Sequence, residues 1–474
     1  MAEHGLSTGT QGVGREADEI VARLDRLPFT SLHRRACGVI ALGSFFDSFD
    51  ALLLASAIAV VISVLHISFL NIGLLISAAN FGMMIGAPFG GWLAEKFGRR
   101  PVLMSSIAGF GLLSVASAFA WDFSSLLTIR FVEGLALGAE IPVAAALFNE
   151  FIPGRRRARA FLYGFGTLFA AGFLFAPLAG LGSIALFGPA LGWRVLFACG
   201  GLAVIVAVAM YFMLPESPRW LASKGRMKEA KATVEKFEML ALADGKELPP
   251  PVARLHVEER PTRAAELFSP TYRSRTILIW ILFFVTYFVA YGIAAWLPTL
   301  YVRVGGLPTD QALSLTVLYG LTQVVVVFFW GTVADRLGRR RVYIIALALL
   351  AFTMMAGFIV VAWLNFTAWP VLAVVAFVAG IGNGATSSLS FLYASELFPT
   401  RMRAWAAATC TSANRIGTVL APGAIGALLA ADLGLGSVFL MVSCVAFAGL
   451  ICVVALAPET GTGTLEEASA EASA

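Results

Sequence analysis

The chain has 474 residues, of which 59% are hydrophobic and only 13% are charged, and its formal net charge is +5. Soluble globular proteins carry about 25% charged residues, so this composition excludes an ordinary water-soluble domain. The apolar residues form unbroken runs and do not alternate with polar ones, which excludes a membrane β-barrel and predicts an all-α polytopic membrane protein.

Windows of about 20 residues predict twelve membrane-spanning helices. A polar N-terminal segment covers residues 1–35, and we expect no cleaved signal peptide there. A tail at 457–474 ends the chain. We expect six-helix bundles over 36–214 and 276–456, joined by a linker of short helices over 215–275. The spans are predicted at 36–62, 71–94, 101–121, 124–149, 160–186, 193–214, 276–300, 311–334, 342–363, 370–394, 404–430 and 434–456.

Positive charges are unevenly distributed about these spans. Arg194 and Arg303 fall on the side opposite the N-terminus, Arg130 and Arg415 fall inside spans, and every other Lys and Arg falls on the starting side. Because cytoplasmic loops are enriched in Lys and Arg, we expect both termini and the linker to be cytoplasmic, in the inner or plasma membrane. Topology thus explains the basic excess, and no nucleic-acid partner is expected.

Three sequence patterns of the first half recur in the same order in the second half. Their nearly constant offsets of 240, 246 and 243 residues indicate a duplicated six-helix unit. Transporters that rock two similar bundles about a central site show this kind of duplication. The matched pairs are GWLAEKFGRR at 91–100 with GTVADRLGRR at 331–340, EFIPGRRRAR at 150–159 with ELFPTRMRA at 396–404, and PESPRWL at 215–221 with PET at 458–460.

The paired motifs resemble those of the major facilitator superfamily, and the resemblance covers essentially the whole chain after residue 35. PESPRWL and the long central segment are similar to the sugar-porter branch and to its neighbours, the aromatic-acid/proton symporters, nicotinate-type carriers and organic-ion transporters. The resemblance implies twelve transmembrane helices in two pseudo-symmetric six-helix bundles and transport by alternating access. Glu95 departs from the family pattern, which usually has Asp at that position.

The charged residues of the paired motifs are predicted to form a cytoplasmic latch. Carboxylates among neighbouring arginines can form ion pairs in one conformation and release them in another. The glycines that open the motifs are expected to let neighbouring helices approach. The alternative is that the charges only anchor the spans at lipid headgroups. The predicted set comprises Gly91, Glu95, Arg99, Arg100, Gly331, Asp335, Arg339, Arg340, Glu150, Arg157, Glu396 and Arg403.

Ionisable residues inside spans are the candidates for proton coupling, because each costs about 3 kcal/mol at bilayer depth unless it has a partner or a function. Asp47 and Asp50 share one face of span 1, and Arg130, Glu133 and Glu140 share one stripe of span 4. By resemblance, aromatic-acid symporters carry D-x-x-D in span 1, and proton-coupled sugar porters pair the Asp matching Asp50 with the Arg matching Arg130. We expect Asp50 to accept the proton, Arg130 to be its partner and Asp47 to be accessory. The alternative is a permanent structural ion pair.

Small residues of span 4 are expected to set its distance from a neighbouring helix. Gly134 and Gly138 are four residues apart and lie on one helix face. A surface of this kind lets two helices approach closely, and we expect span 1 to be the partner.

Arg415 in span 11 is the first candidate for substrate binding. No acidic residue shares its span, and a planar guanidinium suits two-point binding of a carboxylate. By resemblance, organic-anion transporters have an Arg at the matching place. The alternative is a structural ion pair with Glu133 or Glu140.

Span 7 places Phe284, Tyr287 and Tyr291 on one face. Such a face suits a ring-bearing substrate, although plain core packing also produces it. Sugar porters usually have a Gln pair in span 7, and the corresponding region here is Phe, Val, Thr and Tyr, which disfavours a sugar. Gln323 in span 8 and Asn383 in span 10 are expected to line the cavity or to tie helices together.

These features predict a proton-coupled secondary active transporter that imports a small organic anion, an aromatic or heteroaromatic carboxylate. The alternatives are uptake of a sugar, polyol or other neutral metabolite, export by antiport, and a non-transporting sensor on the same fold. The sequence contains no nucleotide-binding loop, nucleophile or metal motif, so neither ATP-driven transport nor an enzyme is expected. The proton is the expected coupling ion, with no other cofactor. The expected partners are the substrate and the lipid bilayer, with no obligate protein partner, so we expect a monomer.

Overall fold

The computed structural model describes residues 16, 19–24, 26–65, 67–151, 167–251, 264–398 and 402–460. Within these ranges the regular secondary structure consists of helices, including one short 3-10 helix at Ala264–Phe268. The α-helices are α1 (Ser31–Leu65), α2 (Phe69–Phe97), α3 (Arg99–Ala118), α4 (Phe123–Phe151), α5 (Thr167–Gly200), α6 (Ala203–Met213), α7 (Pro218–Ser223), α8 (Met227–Ala243), α9 (Arg273–Arg303), α10 (Thr309–Leu337), α11 (Arg339–Ala362), α12 (Trp369–Leu397), α13 (Arg403–Ala430) and α14 (Gly434–Leu456).

Ten stretches of the described chain are long and apolar enough to cross a membrane. One of them, Thr167–Met213, has 47 residues, far more than the roughly 20 that a single crossing needs. Its helical backbone is interrupted at Gly188, where φ is 71°, so it provides two crossings. Helix α10, with 29 residues, is long enough for a further crossing. The all-α membrane fold predicted from the sequence is confirmed.

The helices of the two halves pack in the same order. In the first half α1 packs on α5, α2 on α4, and α3 on both α4 and α6. In the second half α9 packs on α13, α10 on α12, and α11 on both α12 and α14. Each of these contacts therefore has its counterpart in the other half, as a duplicated six-helix unit requires. Between the halves, α2 packs on α13, α5 on α10 and α1 on α9.

The segment between the halves associates with the first half. Helix α8 packs on α7 and on the start of α1. Glu238 of α8 binds Arg23 at 2.5 Å and Arg26 at 2.6 Å. Partial burial opposes ionisation of Glu238, but these hydrogen bonds and charges outweigh it and lower the pKa of the carboxyl. We refer to the side of the molecule that carries α7 and α8 as the linker side.

Three apolar clusters show where the halves meet. One cluster draws on both halves, with Ile72, Trp193, Trp296 and Ile425 among its members, near the helix ends opposite the linker side. The other two clusters each belong to a single half and lie toward the linker side. In the described part of the chain, the halves thus share an apolar core only on the side opposite the linker, where the molecule is closed.

Glycines of α4 bring that helix into backbone contact with α2. A Cβ added to Gly134 would collide with the carbonyl oxygen of Ala79, and one added to Gly138 with that of Met83. Both partners belong to α2, so the expectation that these glycines approach span 1 is wrong. Helix α1 makes its close approach to α5 instead, at Gly172. The spacing of the glycines marked a contact face correctly, but it carries no information about which helix lies opposite.

Gly91 does not make the close contact predicted for it. A Cβ added there would meet no atom within 4 Å, whereas one on the preceding Gly90 would collide with Ala139 of α4. One residue turns a helix by about 100°, so the two glycines present different faces. The corresponding position in the second half, Gly331, is not described at side-chain level.

The two kinds of glycine provide a matched test of this packing. Gly134→Ala is expected to cost more than the roughly 1–3 kcal/mol usual for overpacking, because its Cβ meets backbone that cannot turn away. Gly91→Ala is expected to leave stability within about 1 kcal/mol of the parent, since it fills open space and alanine favours helix. Thermal unfolding of the purified protein in detergent distinguishes them, and equal stability of the two variants would contradict the described contact of α4 with α2.

Candidate functional site

Asp50 of α1 and Arg130 of α4 form a two-point ion pair in the interior. Nη1 of Arg130 donates to Oδ1 of Asp50 at 3.0 Å and Nη2 donates to Oδ2 at 2.8 Å. Glu133, one turn further along α4, accepts a hydrogen bond from Nη1 at 2.7 Å. The three residues are at most 1% exposed. The structure brings together the pair that the family resemblance implied, and adds Glu133. We call these three residues the first charge group.

Asp47, Glu140 and Arg415 form a second charge group. Asp47 lies on α1 and Glu140 on α4, whereas Arg415 lies on α13 of the other half, and all three are buried. Arg415 interacts electrostatically with both carboxylates, and its Nη1 lies 3.5 Å from Sδ of Met83. Ser44 donates a hydrogen bond of 3.3 Å to Oε1 of Glu140. This group spans the two halves.

Glu133 and Glu140, the two alternative ion-pair partners predicted for Arg415, belong to different charge groups. Glu133 is bound by Arg130 in the first charge group, whereas Glu140 belongs to the second. Arg415 is only 7% exposed, so the guanidinium faces the interior of the protein and not the surrounding lipid.

Several side-chain atoms in the membrane interior are buried and have no hydrogen-bond partner within the described ranges. A buried polar group left unsatisfied costs about 1–3 kcal/mol, so a concentration of them marks a place where water or a ligand binds. Six of these atoms are Oδ1 of Asp47, Oε2 of Glu140, Nε of Arg415, Nε2 of Gln323, Oδ1 of Asn383 and Oδ1 of Asn414, and others include Nε of Arg130 and Oε1 of Glu133.

The aromatic face of α9 adjoins the second charge group. Phe284, Tyr287 and Tyr291 are half-buried along one side of the helix. Both tyrosines interact electrostatically with Arg415, and Tyr291 also with Asp47. Aromatic surface therefore lies within electrostatic range of a guanidinium, and the two together can interact with the ring and the carboxylate of one ligand.

Gln323 and Asn383 lie on adjacent helices of the second half. Gln323 lies against the backbone of α12 at Gly384. If Gly384 carried a Cβ, that atom would be 3.5 Å from the amide oxygen of Gln323. Nδ2 of Asn383 donates a 3.5 Å hydrogen bond to Ser387. Asn383 thus bonds within its own helix, whereas Gln323 lies against α12, and each amide keeps one atom without a partner in the described residues. Asn414 was missed from the sequence because a neutral amide beside Arg415 gives no charge signal.

Some of the predicted latch charges form ion pairs at the linker side, whereas the guanidinium groups of Arg100 and Arg340 donate to the carbonyl oxygens of Tyr211 and Val454. Arg99 binds Glu95 at 2.6 Å and approaches Glu150 at 3.6 Å. In the second half, Arg339 binds Glu396 at 3.2 Å. The structure therefore gives Glu150 and Glu396 partners from the preceding motif of the same half. Arg157 lies outside the described residues, as do the side chains of Asp335 and Arg403.

Two glutamates that the sequence analysis quoted but assigned no role cap helices of the latch. Glu216 accepts hydrogen bonds from the backbone N–H groups of Arg99 and Arg100 at 3.1 and 3.2 Å. Glu459 accepts one from the N–H of Arg339 at 2.6 Å. A carboxylate at a helix N-terminus satisfies free N–H groups and interacts favourably with the helix dipole. Burial raises the pKa of Glu216, against the effect of these donors. The shared offset of the PES and PET motifs was the signal for this role.

Known proteins resemble the chain over most of its length. Residues 36–472 match the family model described as sugar (and other) transporter. The niacin transporter NiaP of Acinetobacter baylyi is 28% identical over 94% of this chain and 99% of its own length. The 4-hydroxybenzoate transporter PcaK of Pseudomonas aeruginosa is 34% identical over 77% of this chain and 78% of its own. A crystal structure of a D-xylose–proton symporter superimposes with a TM-score of 0.72 at 19% identity, covering 91% of this chain and 100% of that one.

Proposed function

Since the chain belongs to the sugar (and other) transporter family of the major facilitator superfamily, we propose that it imports a small aromatic or heteroaromatic carboxylate together with protons. The membership confirms the resemblance carried by the paired motifs. The protein is a multi-pass membrane transporter of small molecules and not an enzyme. The identity of the cargo and its coupling to protons are the proposed steps.

The observation that carries the proposal is the position of Arg415. Its guanidinium is buried, interacts electrostatically with Tyr287 and Tyr291, and keeps an unpaired Nε. A cation in such a place favours an anionic ligand, and the adjoining rings favour a flat one. The unpaired amide oxygens of Asn383 and Asn414 add neutral hydrogen-bond acceptors for ring substituents.

The relatives support the same class of cargo. Niacin and 4-hydroxybenzoate, named for NiaP and PcaK, each consist of one six-membered aromatic ring bearing a carboxylate. The likeness to the D-xylose–proton symporter, at 19% identity, supports the fold and carries no argument about cargo. A sugar or other neutral metabolite remains the second candidate, and span 7 lacks the Gln pair that would favour it.

Orientation and energy source belong to the same proposal. The distribution of Lys and Arg supports a cytoplasmic linker side and cytoplasmic termini in the inner or plasma membrane. With that orientation, the shared apolar core closes the extracytoplasmic side, so the structure is inward-facing. Four buried carboxylates in α1 and α4 supply candidate proton acceptors. We propose the proton as the sole coupling ion and the monomer as the working unit.

Uptake into proteoliposomes tests the proposal. An imposed gradient, acidic outside, is expected to raise the initial rate of labelled benzoate and nicotinate uptake, and a protonophore is expected to abolish the increase. Vesicles without protein give the passive entry of the neutral acids, which must be subtracted. Saturable uptake of xylose, with none of either carboxylate, would contradict the proposed cargo. Carboxylate uptake that is the same with and without the pH gradient would contradict proton coupling.

A further inference from the structure

We infer that the proton which accompanies the substrate is carried by the Asp47 and Glu140 pair of the second charge group, opposite Arg415, and not by Asp50. The inference rests on the proposed function and specifies which part of the site performs the coupling. It differs from the assignment made from the sequence, in which Asp50 accepts the proton and Asp47 is accessory.

The two charge groups differ in which half of the molecule supplies each charge. Asp50, Arg130 and Glu133 all lie on α1 and α4, so a movement of one half against the other leaves their distances unchanged. Arg415 lies on α13, so its separation from Asp47 and Glu140 changes with that movement. A coupling group must differ in free energy between the two conformations, and only the second charge group has parts on both sides of the moving interface.

A carboxylate bound at Arg415 would lie beside the second charge group and not beside Asp50. Both oxygens of Asp50 are occupied by Arg130. In the second charge group Oδ1 of Asp47, Oε2 of Glu140 and Nε of Arg415 have no hydrogen-bond partner in the described structure, as is also true of Oε1 of Glu133 and Nε of Arg130 in the first group. A carboxylate bound at Arg415 would supply the negative charge that the Asp47 and Glu140 pair now presents to this arginine.

Charge neutrality sets the number of protons that each charge group holds. Each charge group contains two carboxyl groups and one arginine, so one bound proton makes either group neutral. Burying an uncompensated charge costs several kcal/mol. A substrate carboxylate at Arg415 adds one negative charge to the second group, which then needs one further proton. The second charge group is therefore neutral, and can be enclosed by the protein, in two states. Without substrate it holds one proton, and with the substrate carboxylate bound it holds two.

This exchange couples the two ligands in a simple cycle. On the side that faces the substrate supply, the carboxylate binds Arg415 and a proton joins a carboxylate oxygen of the pair as its O–H. On the linker side the substrate leaves, that O–H releases its proton to water, and the ionised carboxylate again faces Arg415. The charged or titratable groups near Asp47 in the described structure are Asp50, Glu140, Arg415 and Tyr291.

Counting protons during binding tests the inference. Benzoate is added to the purified full-length protein in weakly buffered detergent solution at neutral pH, and proton uptake is read with an indicator dye. The wild-type protein is expected to take up about one proton per benzoate bound. Neutrality predicts the same number for Asp47→Asn and for Glu140→Gln, because each leaves one carboxyl group to titrate. The double variant Asp47→Asn/Glu140→Gln is expected to bind benzoate with no proton uptake.

Asp50→Asn and Glu133→Gln are the matched controls, since each removes one carboxyl group from the first charge group. Both are expected to retain about one proton per benzoate. Loss of uptake in Asp50→Asn, or full uptake in the double variant, overturns the inference while the proposed function stands. If neither benzoate nor nicotinate binds the wild-type protein, the proposed function fails first. Should the double variant not fold, the result for Asp50→Asn decides alone.

Discussion

Replacing Arg415 with Ala is expected to weaken benzoate binding by about 10- to 150-fold. The change removes a buried, charge-assisted hydrogen-bond donor, which corresponds to about 1.5–3 kcal/mol. Arg415→Lys retains the charge but loses the planar pair of donors, so an intermediate loss of about tenfold is expected. Binding is measured by calorimetry on the purified protein, and by the rise in its unfolding temperature as benzoate is added.

Arg303→Ala serves as the control for this series. Arg303 is an exposed arginine at the far end of α9, in the same half of the protein, and its removal is expected to leave benzoate affinity unchanged. The charge argument predicts in addition that Arg415→Ala takes up less than one proton per benzoate, because the arginine no longer holds a carboxylate of the pair ionised. Undiminished affinity in Arg415→Ala would remove Arg415 from the binding site.

Replacing Arg130 with Met is expected to destabilise the protein by about 3–5 kcal/mol, the second large effect. The substitution leaves Asp50 and Glu133 buried without the cation that neutralises them, which is the costly way to break a buried ion pair. The triple variant Asp50→Asn/Arg130→Met/Glu133→Gln removes all the charges together and is expected to recover most of the loss. Thermal unfolding in detergent measures both variants.

Arg275→Met is the comparison for this second series, because Arg275 is a partly buried arginine that donates a hydrogen bond to the carbonyl oxygen of Leu397 and not to a carboxylate. A loss of about 1 kcal/mol is expected there. If Arg130→Met were no less stable than Arg275→Met, the first charge group would not depend on Arg130 for its neutrality, and the counting of charges used for the second group would lose its basis.

The fold followed from the sequence because its determinants are local and repeated. Long apolar runs require helices in a bilayer, since no water is present to satisfy the backbone. The recurrence of three motifs at nearly constant offset identified the duplication, and the helix contacts repeat in the same order. The side of the membrane assigned to the linker remains an expectation that depends on the distribution of Lys and Arg.

Within the site, the sequence predicted burial more successfully than it predicted which residues contact one another. The stripe of Arg130, Glu133 and Glu140 faces the interior as its helical spacing indicated. Gly134 and Gly138 were correctly identified as a contact surface but were given the wrong partner helix. Periodicity defines the face of a helix, whereas the neighbour of that face depends on the packing of all the others.

The sequence by itself determined that the protein spans a membrane as a duplicated set of helices and that it carries six charged residues at membrane depth. Only the tertiary structure decided how those charges divide: Asp50 and Glu133 share Arg130 within one half, and Asp47 and Glu140 face Arg415 across the two. The physical reason is that the cost of burying a charge is local and can be read from one helix, whereas its neutralisation depends on distances between helices far apart in the chain.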